Sequence, residues 1–305
     1  MPLSPRLSVI IPHLNEPNDL VRCLRSLWVQ RADGIPFEII VVDNGSRELP
    51  EAACAAFEGV RLECEPVPGP GPARNRGARV AQADLLAFID ADCAAQPGWV
   101  RAIVAFMDQN PDIDFVGGDI RILPADSKRL TSVEAYESIF SYRAQFYVES
   151  RGFAATGNMA VRAHVFRAVG PFGGIATAED AEWGQRATAR GHHIAYLPQA
   201  KVLTPSCRSF AELRRRWDKH IAQEFRQVGR RPADRLLWVA RSVAIAASPV
   251  VETATILQTH HICGIRDRAL ALACLTRIRF YRARRMLGLA LHDDTAAIVS
   301  TWNRS

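Results

Sequence analysis

The stretch LLAFIDADC (85–93) runs five apolar side chains and then sets two carboxylates, Asp90 and Asp92, two residues apart. A short apolar run bounded by a turn reads as a buried strand. A strand end presenting Asp-x-Asp suits a hard divalent cation, Mg2+ or Mn2+, which takes oxygen ligands and binds together with phosphate groups. A cation there would neutralise the charge that develops on a departing diphosphate. The plain alternative is that these carboxylates cap a turn or the next helix. Three other places offer matching chemistry. Asp43 ends a second apolar run in VVDNGS, where it could accept from a nucleobase N–H such as uracil N3, or simply make the Asn-Gly turn. ARNRG (73–77) opens a helix and offers an anion Arg74, Arg76 and backbone donors. TAEDAEW (177–183) puts Glu179 and Asp180 at a helix start. Acids are favourable there on structural grounds alone, and one of them could take a proton from an attacking hydroxyl.

The elements that must position these residues alternate. Strands are predicted at 7–12, 37–46, in VRLECEP, in DLLAFIDAD, in DFVGGDIRIL and in HHIAYLP. Between them lie helical patterns at 17–30, 48–57, 71–83, 99–110, 131–147 and 178–191. Strands that are apolar almost throughout, each followed by a helix, predict an α/β fold with a mostly parallel central sheet flanked by helices. Ligands of such sheets bind beyond the carboxyl ends of the strands. Residues 13–16, Asp43, Asp90 and Asp92 all fall at predicted strand ends, so they are expected on one edge.

The 305 residues are 48% hydrophobic and 23% charged, enough for a sizeable core. Seven scattered cysteines without a C-x-x-C pair read as reduced thiols, with neither a disulfide frame nor a zinc site. The first residues enter a strand almost at once and show no secretory leader pattern. The net charge of +6 is uneven. Residues 1–205 carry 20 Lys and Arg against 24 Asp and Glu, whereas residues 206–305 carry 18 against 8. Two parts are therefore expected, 1–205 and a basic helical region 206–305. In the second part Ser209 and Glu212 form a capping box. Phe210, Leu213, Trp217, Ile221, Phe225 and Val228 follow at steps of 3 or 4. Residues 235–262 are apolar-rich, but Arg241 and Glu252 bracket only ten uncharged residues, short of the ~20 a spanning helix needs. Residues 266–291 are again helical and rich in arginine.

Taken in order, SVIIPHLNE, EIIVVDNGS, ARNRGA, FIDAD, TGNMAVR and AEDAEWGQRATARGHHIAYLP closely resemble the family 2 glycosyltransferases of the GT-A nucleotide-sugar fold, over residues 6–205. The resemblance implies inverting transfer of a sugar from a nucleoside-diphosphate donor, UDP-sugar first, with Mg2+ or Mn2+ as cofactor. It implies that Pro12, Asn15 and Glu16 line the nucleoside pocket and that Asp43 contacts the base. Arg74 would sit near the nucleotide, Asp90 would reach the ribose or a metal-bound water, and Asp92 would ligate the metal. Gly157, Asn158 and Met159 would shape the floor near donor sugar and acceptor. Asp180 would be the general base, with Glu179 the close second. Two departures stand out. Thr204 lies where many relatives carry a His, leaving Cys207 and Arg208 as alternative phosphate contacts. LRRRW (213–217) keeps Arg216 and Trp217 of the processive Q-x-x-R-W pattern but has Leu213 for Gln, which suggests single transfer. His192 and His193 read as structural, and His260 and His261 are not spaced as metal ligands. GPGPARNRG fails the G-x-G-x-x-G pattern, which weakens a dehydrogenase reading.

The basic region is expected to dock peripherally at the inner face of the cytoplasmic membrane, since basic amphipathic helices bind anionic lipid. The acceptor would then be a hydroxyl on a polyprenyl-linked glycan or surface polysaccharide precursor. No nucleic-acid reading element is found. The competing reading is a non-catalytic nucleotide-sugar-binding or partner-binding protein of the same fold.

Overall fold

The computed structural model describes residues 4–126, 128–174, 178–226, 228–229 and 231–292. Strands β1 (Leu7–His13), β2 (Phe37–Asp43), β3 (Val60–Cys64) and β4 (Leu85–Ile89) form a parallel half-sheet in the order β3-β2-β1-β4. β1 and β2 are buried almost from end to end, as a strand covered on both faces must be. The other strands are β5 (Ala94–Ala95), β6 (Phe115–Leu123), β7 (Asn158–Arg162) and β8 (Ile194–Pro205), and they extend the sheet as β4-β7-β6-β8-β5. β7 runs antiparallel to both β4 and β6, and β5 runs antiparallel to β8. Successive strands step outward from β1 through β2 to β3, and β4 then returns to the other side of β1. This reversal opens a crevice at the carboxyl ends of β1 and β4, the usual ligand position in open α/β sheets.

Two compact units emerge. The first comprises residues up to Arg121 together with Arg143–Thr204, and the second comprises Ile122–Tyr142 with the chain from Pro205 onward. The expected boundary near residue 205 falls where the second unit's longer segment begins, and Ile122–Tyr142 also belongs to that unit. The predicted helix over 131–147 is two, α5 (Ser132–Phe140) in the second unit and α6 (Ala144–Arg151) in the first. The remaining helices of the first unit are α1 (Pro17–Trp28), α2 (Glu51–Ala55), α3 (Pro70–Val80), α4 (Trp99–Gln109), α7 (Ala163–Val169) and α8 (Glu179–Ala189). Phe88, Phe166, Phe172 and Trp183 fill the core between sheet and helices, with ring centroids 5.2–5.7 Å apart. That range is the favoured spacing for aromatic pairs.

α3 comes unusually close to its neighbours. A Cβ on Gly77 would lie 2.4 Å from Cγ2 of Ile10 in β1, and one on Gly71 would lie 2.1 Å from the Gly173 carbonyl oxygen. Gly77→Ala is thus expected to destabilise by about 1–3 kcal/mol through overpacking, despite alanine's better helix propensity. Urea denaturation of the two proteins checks this as a lower midpoint.

The second unit packs α5, α9 (Phe210–Arg226), α10 (Pro232–Gln258) and α11 (Gly264–His292) around Tyr136, Leu213, Leu275 and Ile278. Glu137 of α5 is 1% exposed and ties this unit together. It accepts from Arg216 at 2.6 Å, from Ser206 at 2.8 Å and from the Cys207 N–H at 2.7 Å. α10 is 27 residues long and, by length and composition alone, apolar enough to cross a membrane. The two charges that limited it in the sequence lie off its outer arc. Arg241 pairs with Glu224 and Glu252 with Arg279. Leu236, Ala240, Val243, Ala247, Val250, Ala254 and Leu257 recur at steps of 4 and 3 along an exposed, wholly apolar stripe.

Candidate active site

The crevice is built by the segments that follow β1, β2 and β4 and by the first turns of α3 and α8. After β1 the chain turns sharply at Asn15, the only non-glycine among the described residues with a positive φ, at 55°. Asparagine tolerates this left-handed conformation better than most residues. Asn15 is pinned on both sides: its N–H donates to Ser46 Oγ at 2.8 Å, and its Oδ1 accepts from the Arg47 N–H at 2.9 Å. Pro12 and Asn15 are half-buried and Glu16 is exposed at this rim.

Asp43 ends β2 and is 2% exposed. Its Oδ1 lies 3.0 Å from His13 Nδ1, and its Oδ2 accepts from the Gly45 and Ser46 N–H groups. His13 Nε2 accepts from the Glu16 N–H, which assigns the ring proton to Nδ1 and makes it the donor to Asp43. Burial alone would raise the Asp43 pKa, but the hydrogen bonds from Ser46, His13 and Gly45 outweigh it and hold the carboxyl below its ordinary value. A carboxylate so fully engaged clasps the ends of β1 and β2 together. A carboxylate offers about four acceptor sites, so this clasp is compatible with the base contact expected of Asp43. The next residue, Asn44, was not singled out in the sequence. Its amide donates to the Glu65 and Val67 carbonyls and accepts from the Gly69 N–H, which fixes the loop that launches α3.

Arg74, in the second turn of α3, is the centre of the site. It is 3% exposed, donating from Nη2 to Asp90 Oδ1 at 2.6 Å and from Nη1 to Glu179 Oε1 at 2.9 Å. Burial works against its charge, yet Asp90 and Glu179 more than offset this and raise its pKa. One guanidinium thus joins the strand-end acid to the acids opening α8. Asp180 stands beside Glu179, half-buried, accepting from the Ala181 N–H at 2.7 Å. Burial, then the neighbouring Glu179 charge, raises its pKa, while Arg74 opposes. A half-buried carboxyl with a raised pKa beside a fixed cation has the properties of a general base.

Asp90 keeps 41% of its side chain exposed. Asp92 is half-buried, and among the described residues no arginine or lysine pairs with its carboxylate; the Cys93 thiol approaches it at 3.5 Å. Burial, followed by the charges of Asp90 and Glu16, pushes its pKa up to about 7. Donor atoms of Asp90, Asp92 and Cys93 all lie within 4.8 Å of one another. A local excess of acid, oxygen-rich and short of a counter-charge, fits a bound divalent cation.

Gly157 meets this cluster from β7's side. A Cβ there would lie 2.8 Å from Asp90 Oδ2. Gly157→Ala is expected to displace that carboxylate and weaken nucleotide affinity about tenfold while changing stability little; calorimetric titration with the donor checks it. Asn158 and Met159 do different work. Asn158 Oδ1 accepts from Trp99 Nε1, and its Nδ2 donates to the Asp119 and Ala200 carbonyls, each at 2.8 Å. Met159 is 1% exposed within the aromatic core. Of these three floor residues, Gly157 alone meets an acid of the cluster. Thr204 is buried and hydrogen-bonds Cys93. His192 contacts Asp114 and His193 the Asp112 carbonyl, in keeping with structural roles. Arg216, of the partial Q-x-x-R-W pattern, is held by Glu137 within the helical unit.

The family model described as "Glycosyl transferase family 2" matches residues 8–170, more than half of the chain. The chain belongs to glycosyl transferase family 2. The transferase is 30% identical over 215 residues to "Glycosyltransferase AglE" of Haloferax volcanii, covering 68% of this chain and 69% of that protein. It is 36% identical over 107 residues to "Validoxylamine A glucosyltransferase" of Streptomyces hygroscopicus subsp. limoneus, where the match spans 33% of this chain and 23% of the relative. Among solved structures it is similar to the mannosyltransferase PcManGT from Pyrobaculum calidifontis in complex with GDP-Man and Mn2+. That superposition has a TM-score of 0.57 at 17% identity, over 96% of this chain and 88% of the other. The transferase therefore has the GT-A fold expected from its motifs.

Proposed function

We propose that the transferase moves a sugar from a nucleoside-diphosphate sugar to an acceptor hydroxyl with inversion at the anomeric carbon. The observation that carries this reading is the Arg74 bridge, which gathers Asp90 and Glu179 around one guanidinium, with Asp180 beside Glu179 and Asp92 beside Asp90. Pro12, Asn15 and Glu16 line the nucleoside pocket, and Asp43, which clasps the strand ends, contacts the base. Asp92 and Asp90 hold the divalent cation, Mg2+ or Mn2+, with the Cys93 thiol beside them. When bound, that cation supplies the charge that makes the diphosphate a good leaving group. Asp180 takes the proton from the acceptor hydroxyl as it attacks the face opposite the diphosphate, so no covalent sugar–enzyme species is required. Glu179, drawn to Arg74, is the lesser candidate for that step.

The Mn2+ and GDP-Man of the Pyrobaculum complex support a cation and a nucleotide-sugar donor of this class. A UDP-sugar is the first donor to test. The acceptor is a lipid-linked or surface-polysaccharide precursor. The basic second unit and the apolar outer stripe of α10 support peripheral contact with the inner leaflet, which would concentrate the enzyme where such acceptors reside. A thermal-shift panel of UDP-, GDP-, dTDP- and CDP-sugars, each with and without Mn2+, tests the donor half. One base should give a metal-dependent rise of several degrees. Uniform shifts across all four, or shifts indifferent to metal, would refute the reading.

A further inference from the structure

The helical unit is crowded with arginines, and nearly all those near its core are matched. Arg216 is held by Glu137 at 2.6 Å, Arg241 by Glu224 at 2.9 Å, Arg279 by Glu252 at 2.5 Å and Arg285 by Asp218 at 3.1 Å. Arg268 donates to carbonyls at the end of α10. Arg282 of α11 differs. It is 6% exposed, no described group accepts a hydrogen bond from it, and its Nε is fully buried without a partner. Leaving a charge buried and uncompensated is among the costlier arrangements in a protein.

What Arg282 does have is a platform. Its guanidinium carbon lies 3.5 Å from the centroid of the Trp217 ring. At that distance the cation rests on the ring face, a favourable contact that only partly replaces lost hydration. Face-on stacking also leaves the N–H groups free, because they point outward in the guanidinium plane. That fork matches two oxygens of a phosphate. The surroundings add positive potential. Burial first, then the charges of Arg279 and Arg241, pull the Arg282 pKa down to about 10, with Tyr136 and Glu224 opposing. His220, whose ring centroid is 5.6 Å from that of Trp217, is held below its ordinary pKa by burial and by Arg216 and Arg282.

We propose that Arg282, seated on Trp217 beside His220, is an anion-binding site for a phosphate-type oxyanion, separate from the donor site. A dianionic phosphate supplies the missing counter-charge and fills the guanidinium fork. The same chemistry is offered by a phospholipid headgroup and by a soluble phosphate or diphosphate. The inference stands on the helical unit alone and does not depend on the reading of the catalytic crevice.

The test uses the full chain. Inorganic phosphate and pyrophosphate are titrated while the melting temperature is followed, for the wild type and for Arg282→Met. The wild type should rise saturably by several degrees. Arg282→Met should melt at the same temperature or higher in phosphate-free buffer, since it removes an unpaired buried charge, and should lose that rise. Phosphate bound in the donor crevice would give equal shifts in both proteins and so is told apart. Arg282→Lys, which keeps the charge but not the fork, should need at least tenfold more phosphate. Cosedimentation with vesicles of phosphatidylcholine, with and without phosphatidylglycerol, then separates the sources. Arg282-dependent binding only to the anionic vesicles assigns a headgroup, whereas Arg282-dependent shifts without vesicle binding assign a soluble phosphate. If neither response depends on Arg282, the guanidinium is merely a structural cost and the proposal is overturned.

Discussion

Asp180→Asn is expected to lower sugar transfer about 10³-fold while leaving donor affinity within twofold. The substitution keeps the shape of the side chain and its place at the start of α8 but removes the group that takes the acceptor proton. Positioned general bases contribute about 10²–10⁴ in rate. Because burial and Glu179 raise the Asp180 pKa, the wild-type rate should climb with pH as that carboxyl ionises, and the climb should vanish in the variant. Glu179→Gln should lose less, and through a different route. It frees one arm of Arg74, so donor affinity and rate should fall together. Initial-rate kinetics with a matched acceptor, beside calorimetric donor titration, measure both. Full transfer by Asp180→Asn would remove it from the reaction.

Asp92→Asn should abolish cation-dependent nucleotide binding and, in the absence of metal, make the protein more stable. The sign follows from its pKa. An unfolded aspartate ionises near the usual value of about 4, whereas Asp92 in the fold holds its proton until about pH 7. Between these values the folded state binds the extra proton, so stability falls as pH rises and the full cost is present above pH 7. Discounted for solvent screening at this half-buried site, that cost leaves about 2 kcal/mol for Asn to recover, or roughly 4–8 °C in melting temperature at pH 8. The gain should shrink toward pH 4. Added Mn2+ should raise the wild-type melting temperature at pH 8 and leave the variant unmoved. Scanning calorimetry at pH 4.5 and pH 8, with and without Mn2+, checks each part. A variant that melts lower at pH 8 would mean that Asp92 is paired in solution.

The parts of the site that lie within a few residues of one another were legible in the sequence. FIDAD, ARNRG and AEDAEW each announce an element boundary, and their order was enough to place them on one crevice. Their pairing was not legible. Nothing local says that Arg74 reaches both Asp90 and Glu179, because that depends on how far α3 and α8 stand from the sheet. The buried polar hubs were equally invisible. Asn44, Asn158 and Glu137 are satisfied by carbonyls, N–H groups or an arginine as far as 79 residues away. Asp43 visibly ends a strand in the sequence, but its bonds to His13, Gly45 and Ser46 appear only in the fold. The surroundings of α10 were hidden for a similar reason. A charge in a sequence window counts against an apolar helix until its ion-pair partner, here Glu224 or Arg279, is known to sit on another face.

The two close approaches of α3 act on the helix like supports under a beam. Gly71 rests on the Gly173 carbonyl, Gly77 rests on Ile10, and Arg74 lies midway between. Raising either support tilts the span, and the guanidinium moves relative to both acids it links. Enlarging a core side chain at the Ile10 support, out of reach of any ligand, should therefore slow turnover before it unfolds the protein.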